Sequence, residues 1–160
     1  RGLDTSNENF NGLEDLPFPV VVAINGFALG GGCELCLACD YRIGSELASI
    51  GLPETRLGII PGWGGTVRLP RIAGIETAVE WIAGAQHHSA TDALKAGVLD
   101  AVTSSEKLKG VALTTLLRCI DGSRDYQARR VKKKAPMRNN QLSITKAITT
   151  FTNLVYYEAD

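Results

Sequence analysis

The stretch "ALGGGCELCLACD" (residues 28–40) places three consecutive glycines in front of an apolar segment. Glycine loses more conformational freedom on folding than any other residue, so three in a row require a reason. The β-branched run "VVVAI" (20–24) and the turn pair "NG" (25–26) come just before them, and the pattern from Gly31 to about Cys39 predicts a short, largely buried helix. This part of the chain therefore indicates a strand, a tight turn and a helix that starts with glycines.

A glycine-rich helix start can have a chemical role, because its free N–H groups and the positive end of the helix dipole attract negative charge. Such starts bind phosphates or stabilise anionic transition states. The phosphate motifs have the spacings G-x-G-x-x-G or G-x-x-x-x-G-K-[ST], and "LGGGCELCL" (29–37) fits neither. The run is thus interpreted as an oxyanion site, with close packing of the helix on a strand as the structural alternative.

Two glutamates accompany the glycines. Glu34 falls in the first turn of the predicted helix among Cys and Leu neighbours, where its carboxyl group is expected to be poorly hydrated. A charge that complements the helix dipole is the simpler alternative. Glu54 lies in a segment too rich in Gly and Pro for regular structure (51–65), and a long ordered loop in a compact domain is usually functional. Two carboxylates beside an anion hole can divide acid and base catalysis on one substrate.

Composition describes a globular chain with one core. The 160 residues are 44% hydrophobic, and 17 Lys plus Arg balance 17 Asp plus Glu, which disfavours nucleic acid and anionic membranes as partners. No stretch reaches the ~20 apolar residues of a membrane helix, and the chain has no secretory start, so we expect a cytoplasmic protein with reduced thiols. The basic run "RRVKKK" (129–134) is interpreted as a solvated helix face.

The spacing of Cys33, Cys36 and Cys39 invites an iron–sulfur or zinc interpretation. However, the segment has the pattern of a buried apolar helix, and the fourth cysteine, Cys119, is far along the chain. Free cysteine behaves as a small hydrophobe. We therefore expect these thiols to pack in the core and bind no metal.

Strands and helices alternate in the first half of the chain, whereas the second half reads as helical, which predicts an α/β fold. The expected strands are 20–24, 41–44 and 98–102. A short helix is expected to end near residues 13–16. The other expected helices begin after Gly65, span 76–83, follow Ser89 as N-cap, and lie near 107–120, 126–134 and 142–156.

Three blocks of the sequence, in this order, resemble the enoyl-CoA hydratase/isomerase (crotonase) superfamily, and within it the hydratase region of the bacterial multifunctional fatty-acid oxidation complexes. They are "PVVVAINGFALGGGCELCLACDYRIG" (19–44), "IGLPETRLGIIPGWGGTVRLPRIAG" (50–74) and "ATDALKAGVLDAV" (90–102). The resemblance implies a crotonase-like (ClpP/crotonase) spiral of β-β-α units. Residues 1–102 would be the C-terminal part of that core, and residues 103–160 a helical C-terminal part of the same domain.

The resemblance also implies a role for individual residues. The N–H of Gly31 would belong to an oxyanion hole, Glu34 would orient and deprotonate the attacking water, and Glu54 would handle the proton at the substrate's α-carbon. The substrate pocket is expected to include Leu29, Gly30, Pro53, Pro61, Gly62 and Trp63. The implied reaction is hydration of trans-2-enoyl-CoA to 3-hydroxyacyl-CoA in fatty-acid β-oxidation, with isomerisation as a side activity and no metal or redox cofactor.

The sequence departs from the superfamily at its start. The second oxyanion donor of the superfamily comes from an upstream segment with a small residue followed by Gly-Ala-Asp, and neither it nor the first strands of the spiral have a match here. The alternatives are therefore a crotonase enzyme that only isomerises, or an inactive truncated fragment that only binds CoA or partner subunits. The resemblance implies an oligomer, either a trimer or an α subunit paired with a thiolase β subunit. NAD would serve only a dehydrogenase region of a longer chain.

Overall fold

The computed structural model describes residues 2–137 and 141–157, which form six short strands, one 3-10 turn (Pro53–Leu57) and eight α-helices. The strands are β1 (Val21–Ile24), β2 (Phe27–Leu29), β3 (Tyr41–Ser45), β4 (Ser49–Gly51), β5 (His88–Ser89) and β6 (Ala101–Thr103). The helices are α1 (Gly2–Glu14), α2 (Gly31–Ala38), α3 (Gly65–Ala73), α4 (Ile75–Gly84), α5 (Ala90–Lys95), α6 (Leu108–Ile120), α7 (Tyr126–Lys134) and α8 (Gln141–Tyr157).

The strands form two small sheets, and α2 runs between them. One sheet is parallel throughout, in the order β1-β3-β6, with Val21 opposite Tyr41 and Ile43 opposite Ala101. In the other sheet β4 pairs in parallel with β2 and antiparallel with β5. Since α2 leaves the end of β2 and leads into β3, its two ends are fixed by different sheets. The α/β class predicted from the sequence is confirmed.

The hydrophobic core lies between α2, the sheets and helices α3 to α5. Burial of apolar side chains is the main favourable term of folding, and this core supplies it. Ser89 caps α5 as the sequence predicts, because its hydroxyl oxygen accepts the N–H of Asp92 at 3.1 Å. The large side chains of the hydrophobic core include Leu37, Ile50, Leu52, Leu69 and Trp81.

Two expectations about strands are wrong in detail. The run 20–24 was expected to be buried on both faces, but Ala23 is exposed, because β1 is an edge strand and its second face opens into a groove beside α6. The expected strand at 98–102 begins only at Ala101. Val98 and Leu99 instead close the end of α5, where their N–H groups donate to the carbonyl of Ala93 and their side chains are buried.

The interpretation of the basic run 129–134 as a solvated face is wrong for part of the run: Val131, Lys132 and Lys134 are exposed, but Arg129, Arg130 and Lys133 are not. Arg129 pairs with Asp100, Arg130 makes two hydrogen bonds of 2.7 Å with the carboxylate of Asp40, and only part of α7 faces water. The physical reason is that acceptors distant in sequence, in α1 and at the end of α2, come together under this helix. Arg130 and Lys133 are therefore largely buried and paired, whereas Lys132 is exposed.

Lys133 contacts both α2 and α1. Its ammonium group donates to the carbonyls of Leu37, Ala38 and Cys39 at 3.3, 2.9 and 3.1 Å. These are the last carbonyls of α2, which have no intrahelical donor and carry the negative end of the helix dipole. The same ammonium group pairs with Glu14 at 2.9 Å. Lys133 therefore ties the C-terminus of α2 to α1 and α7.

We expect Lys133→Met to lower the free energy of unfolding by about 1.5–3 kcal/mol, because charge-assisted hydrogen bonds at buried carbonyls are lost. Lys132→Met is the matched control: Lys132 is the preceding residue and is exposed, so its replacement should change stability by less than about 0.5 kcal/mol. Urea unfolding followed by circular dichroism measures both. Equal effects of the two substitutions would contradict the assignment of Lys133 as the cap of α2.

Candidate active site

A cavity of about 950 Å³ lies between the N-terminus of α2 and the irregular loop 52–64. Ligand pockets in proteins are commonly of this size. The structure brings together around it all nine site residues named from the sequence: Leu29, Gly30, Gly31, Glu34, Pro53, Glu54, Pro61, Gly62 and Trp63. They come from β2, α2, the 3-10 turn and the loop before α3.

The glycine run is explained by two side chains that approach its backbone. Gly30 has a φ of +55°, and a Cβ there would lie 3.1 Å from Oε1 of Glu54. A Cβ on Gly31 would lie 2.3 Å from a ring carbon of Trp63, a distance that real Cβ atoms do not tolerate. Gly32 has no such neighbour among the described residues. Gly31 is thus needed so that Trp63 can lie against the helix start, and Gly30 is favoured by its positive φ and by the close approach of Glu54.

The N-terminus of α2 faces this cavity with positive partial charge. Gly31 is the first residue of the helix and Gly30 its N-cap, without a side chain that could occupy the free N–H groups. The Gly30 N–H is fixed by donation to the carbonyl of Gly51 at 3.0 Å. The backbone at this end of the helix is therefore preorganised and suited to negative charge in the cavity.

Glu34 is only 1% exposed, and one oxygen of its carboxylate accepts two backbone hydrogen bonds. The N–H groups of Trp63 and Gly65 both donate to Oε1 at 2.8 Å. Gly65 is the first residue of α3, so the carboxylate also lies at the positive end of that helix. A Cβ on Gly65 would lie 3.1 Å from the same oxygen, so a side chain there would push the Glu34 carboxylate out of place.

Glu54 has a different environment from Glu34. It follows Pro53 at the start of the 3-10 turn, and its Oε2 is buried with no hydrogen-bond partner among the residues that the structure describes. Burial raises the pKa of the Glu54 carboxyl group above its usual 4.5, and the charge of Glu34 raises it further, against the opposing effect of a backbone hydrogen bond. This carboxyl group is therefore suited to hold a proton close to Glu34.

Trp63 is held on three sides. Its backbone N–H donates to Glu34, and its backbone carbonyl accepts a hydrogen bond of 3.0 Å from Arg68. Its indole ring packs edge-on against the ring of Phe10, with 5.9 Å between the ring centroids. The indole N–H is buried, and no acceptor for it lies in the described part of the chain. The side chain therefore forms a rigid wall of the cavity next to Gly31.

Sequence reasoning missed part of the cavity wall. Leu57, Gly58, Ile59 and Ile60 also line it, and the three large side chains are more than half exposed. The signal was available in "RLGII" (56–60), an apolar run inside a Gly- and Pro-rich loop. Exposed apolar side chains around a cavity favour an apolar ligand group.

The cysteines lie outside the chemistry of this cavity. Cys33, Cys36 and Cys39 are buried free thiols, and burial raises the pKa of Cys36 to about 12. In residues 2–137 and 141–157 no group of three or more His, Cys, Asp and Glu side chains could hold a metal ion. The same residues contain no helix long and apolar enough to cross a membrane.

The cavity therefore contains two carboxyl groups with different surroundings, the N-terminus of a helix and an apolar wall. Such an arrangement can move a proton and stabilise a developing oxyanion on one bound molecule. Glu34 and Glu54 would share the acid–base work, and the first turn of α2 would face the negative charge. The ligand would carry its apolar part along the loop 57–60.

Comparison with known proteins gives consistent results. The family model described as enoyl-CoA hydratase/isomerase matches residues 4–158. Two curated relatives are named fatty acid oxidation complex subunit alpha: the one from Pseudomonas syringae pv. tomato is 50% identical and the one from Psychrobacter sp. 49% identical, each over 96% of this chain. The chain spans only 21% of the length of each of these relatives.

A solved enoyl-CoA hydratase from Bacillus anthracis has the same fold. It is 35% identical in sequence and superimposes with a TM-score of 0.74, over 96% of this chain and 60% of its own. The crotonase-like fold expected from the sequence is therefore confirmed. On the family match and these relatives, the chain belongs to the enoyl-CoA hydratase/isomerase family.

Proposed function

We propose that this cavity binds the acyl-thioester end of a trans-2-enoyl-CoA and adds water across its C2=C3 bond, giving a 3-hydroxyacyl-CoA. The observation that carries the proposal is the position of Glu34 and Glu54 around one cavity at the N-terminus of α2. The names of the relatives support a place in fatty-acid β-oxidation.

In this proposal the thioester oxygen lies against the N–H of Gly31. Addition of hydroxide to C3 moves an electron pair through C2 onto this oxygen, which becomes enolate-like. A preorganised donor at such an oxygen lowers the barrier by about 3–4 kcal/mol. The positive end of α2 adds to the effect because it acts in a cavity partly shielded from water.

The two carboxyl groups divide the proton transfers. Glu34 orients the water and takes its proton as the oxygen bonds to C3, while Glu54, as the protonated acid, gives a proton to C2. Hydroxyl and hydrogen are then both added, and a proton passing from Glu34 to Glu54 through solvent restores the starting state. The rigid hold on Glu34 and the raised pKa of Glu54 support this division.

The apolar wall formed by Leu57, Ile59 and Ile60 would accommodate the acyl group. Isomerisation is the second candidate, because a carboxyl group that can protonate C2 can also receive a proton removed from C4. The hydration step uses no metal or redox cofactor. We further propose a cytoplasmic protein that acts within an oligomer, as a trimer or paired with a thiolase subunit, and the word "complex" in the relatives' names supports a partner.

We expect Glu34→Gln and Glu54→Gln each to lower kcat for crotonyl-CoA hydration by about 10²–10⁴-fold, because each substitution removes one acid–base group. Loss of the absorbance of the conjugated thioester measures turnover. Glu106→Gln, at an exposed position away from the cavity, is the matched control and should leave kcat unchanged.

Two outcomes would contradict the proposed hydration. A folded wild type that binds CoA without turnover would favour the alternative of a binding fragment. Isomerisation of a 3-enoyl-CoA without hydration would favour an enzyme that only isomerises. Circular dichroism of each variant separates loss of activity from loss of the fold.

The raised pKa of Glu54 predicts a trade-off between activity and stability. Between the usual pKa of 4.5 and the higher folded-state value, the folded chain binds more protons than the unfolded chain, so stability falls as the pH rises through this window. We expect Glu54→Gln to be more stable than the wild type at pH 7. The difference should disappear below about pH 4, where the side chain is protonated in both states. Urea unfolding at both pH values measures it, and a wild type that is the more stable form at pH 7 would contradict the expectation.

A further inference from the structure

The peptide groups of Trp63 are held from two directions by side chains of different elements. Its N–H donates to Glu34 in α2, whereas its carbonyl accepts from Nη1 of Arg68 in α3. The first contact belongs to the proposed catalytic carboxylate. The second is the beginning of a buried polar network that the proposed chemistry does not use.

Arg68 is 5% exposed and makes three contacts with its guanidinium group. Besides the Trp63 carbonyl, it donates through Nη2 to Asn11 at 2.7 Å and to Glu14 at 3.1 Å. A Cβ on Gly64 would lie 2.1 Å from Nη1, so the guanidinium passes directly over the backbone of Gly64. Gly64 also has a φ of +102°, which side chains other than hydrogen rarely allow.

Glu14 connects this guanidinium to the far end of α2. Its side chain is 9% exposed and accepts from Arg68 through Oε2 and from Lys133 through Oε1. Lys133 in turn binds the last carbonyls of α2. The contacts therefore form a closed ring: α2, Glu34, Trp63, Arg68, Glu14, Lys133 and α2 again.

We propose that Glu14 and Arg68 are positioning residues, which fix the Trp63 peptide and through it the carboxylate of Glu34 and the wall of the cavity. Charge-assisted hydrogen bonds are short and directional, and a guanidinium group can hold several acceptors in one fixed geometry. With both ends of α2 in one ring, the distance from the Glu34 carboxylate to Gly31 is held constant while substrate binds. This inference goes beyond the proposed function, and only its kinetic readout depends on it.

The structure offers an internal control for the test. The chain has two tryptophans, Trp63 in the ring of contacts and Trp81 in the core, where it stacks on His88 at 3.9 Å. Incorporation of 5-fluorotryptophan gives one fluorine NMR signal for each, assigned with Trp63→Phe. A change confined to the surroundings of Trp63 is thereby distinguished from a general loss of packing.

The variants are Glu14→Gln and Arg68→Lys. Glu14→Gln keeps the shape of the side chain and removes the negative charge that joins two buried cations. Arg68→Lys keeps the positive charge, and so the fold, but a single ammonium group cannot hold the Trp63 carbonyl, Asn11 and Glu14 together. Arg129→Lys is the matched control, since it makes the same exchange at a salt bridge to Asp100 outside the ring.

We expect both variants to shift or broaden the Trp63 signal and leave the Trp81 signal in place, and Arg129→Lys to move neither. For crotonyl-CoA hydration, kcat should fall about tenfold with little change in KM, because a displacement of 1 Å in a catalytic group costs roughly 100-fold and the displacement expected here is smaller than 1 Å. Arg68→Lys decides the question if Glu14→Gln does not fold. An unmoved Trp63 signal, or equal shifts of both tryptophan signals, would overturn the proposal. A shift of the Trp63 signal in the variants, together with no turnover by the wild type, would count against the proposed function alone.

Discussion

The two hydrogen bonds accepted by Oε1 of Glu34 are the interaction on which the site depends. Burial of a carboxylate costs several kcal/mol, and hydrogen bonds to a charged group each return about 1.5–3 kcal/mol. The donors are backbone N–H groups of Trp63 and Gly65, so the chain must bring loop 52–64 against α2 to satisfy them. The loop carries Glu54 and the apolar wall with it. A single buried charge thus organises a segment that has little regular structure of its own.

Helix α2 is short, and its N-cap, Gly30, provides no side-chain capping hydrogen bond. Its N-terminus is left free for the cavity, which leaves the helix without a conventional N-cap. Its C-terminus compensates through Lys133, which neutralises the negative end of the dipole and satisfies the last carbonyls. The second, helical half of the chain therefore contributes to the site at a distance: α7 holds the helix whose other end faces the ligand.

Local patterns made much of this predictable. The glycine run, the position of Glu34 in the first turn of α2, the Ser89 cap and the strand β3 each follow from a few neighbouring residues, and the structure contains them. The cavity residues could be named because the family resemblance placed them, and the structure groups them as expected. Their chemical roles remain proposals.

Contacts between distant parts of the chain were not predictable from such patterns. Lys133 and the carbonyls of α2 are about a hundred residues apart, so this lysine of a basic run that looks like a solvated face is in fact paired. The exposure of Ala23 depends on which strand lies at the sheet edge, and the approach of Trp63 to Gly31 depends on the path of the loop. In each case the sequence shows the side chain but not the partner that determines its surroundings.

The most direct test of the proposed site is a crystal structure of the protein with a 3-hydroxyacyl-CoA bound. We expect the thioester oxygen to lie about 3 Å from the N–H of Gly31. We also expect the 3-hydroxyl oxygen to lie within hydrogen-bond distance of the carboxyl group of Glu34, and C2 to face Glu54. A thioester bound away from the N-terminus of α2, or a 3-hydroxyl group that contacts neither carboxyl group, would contradict it.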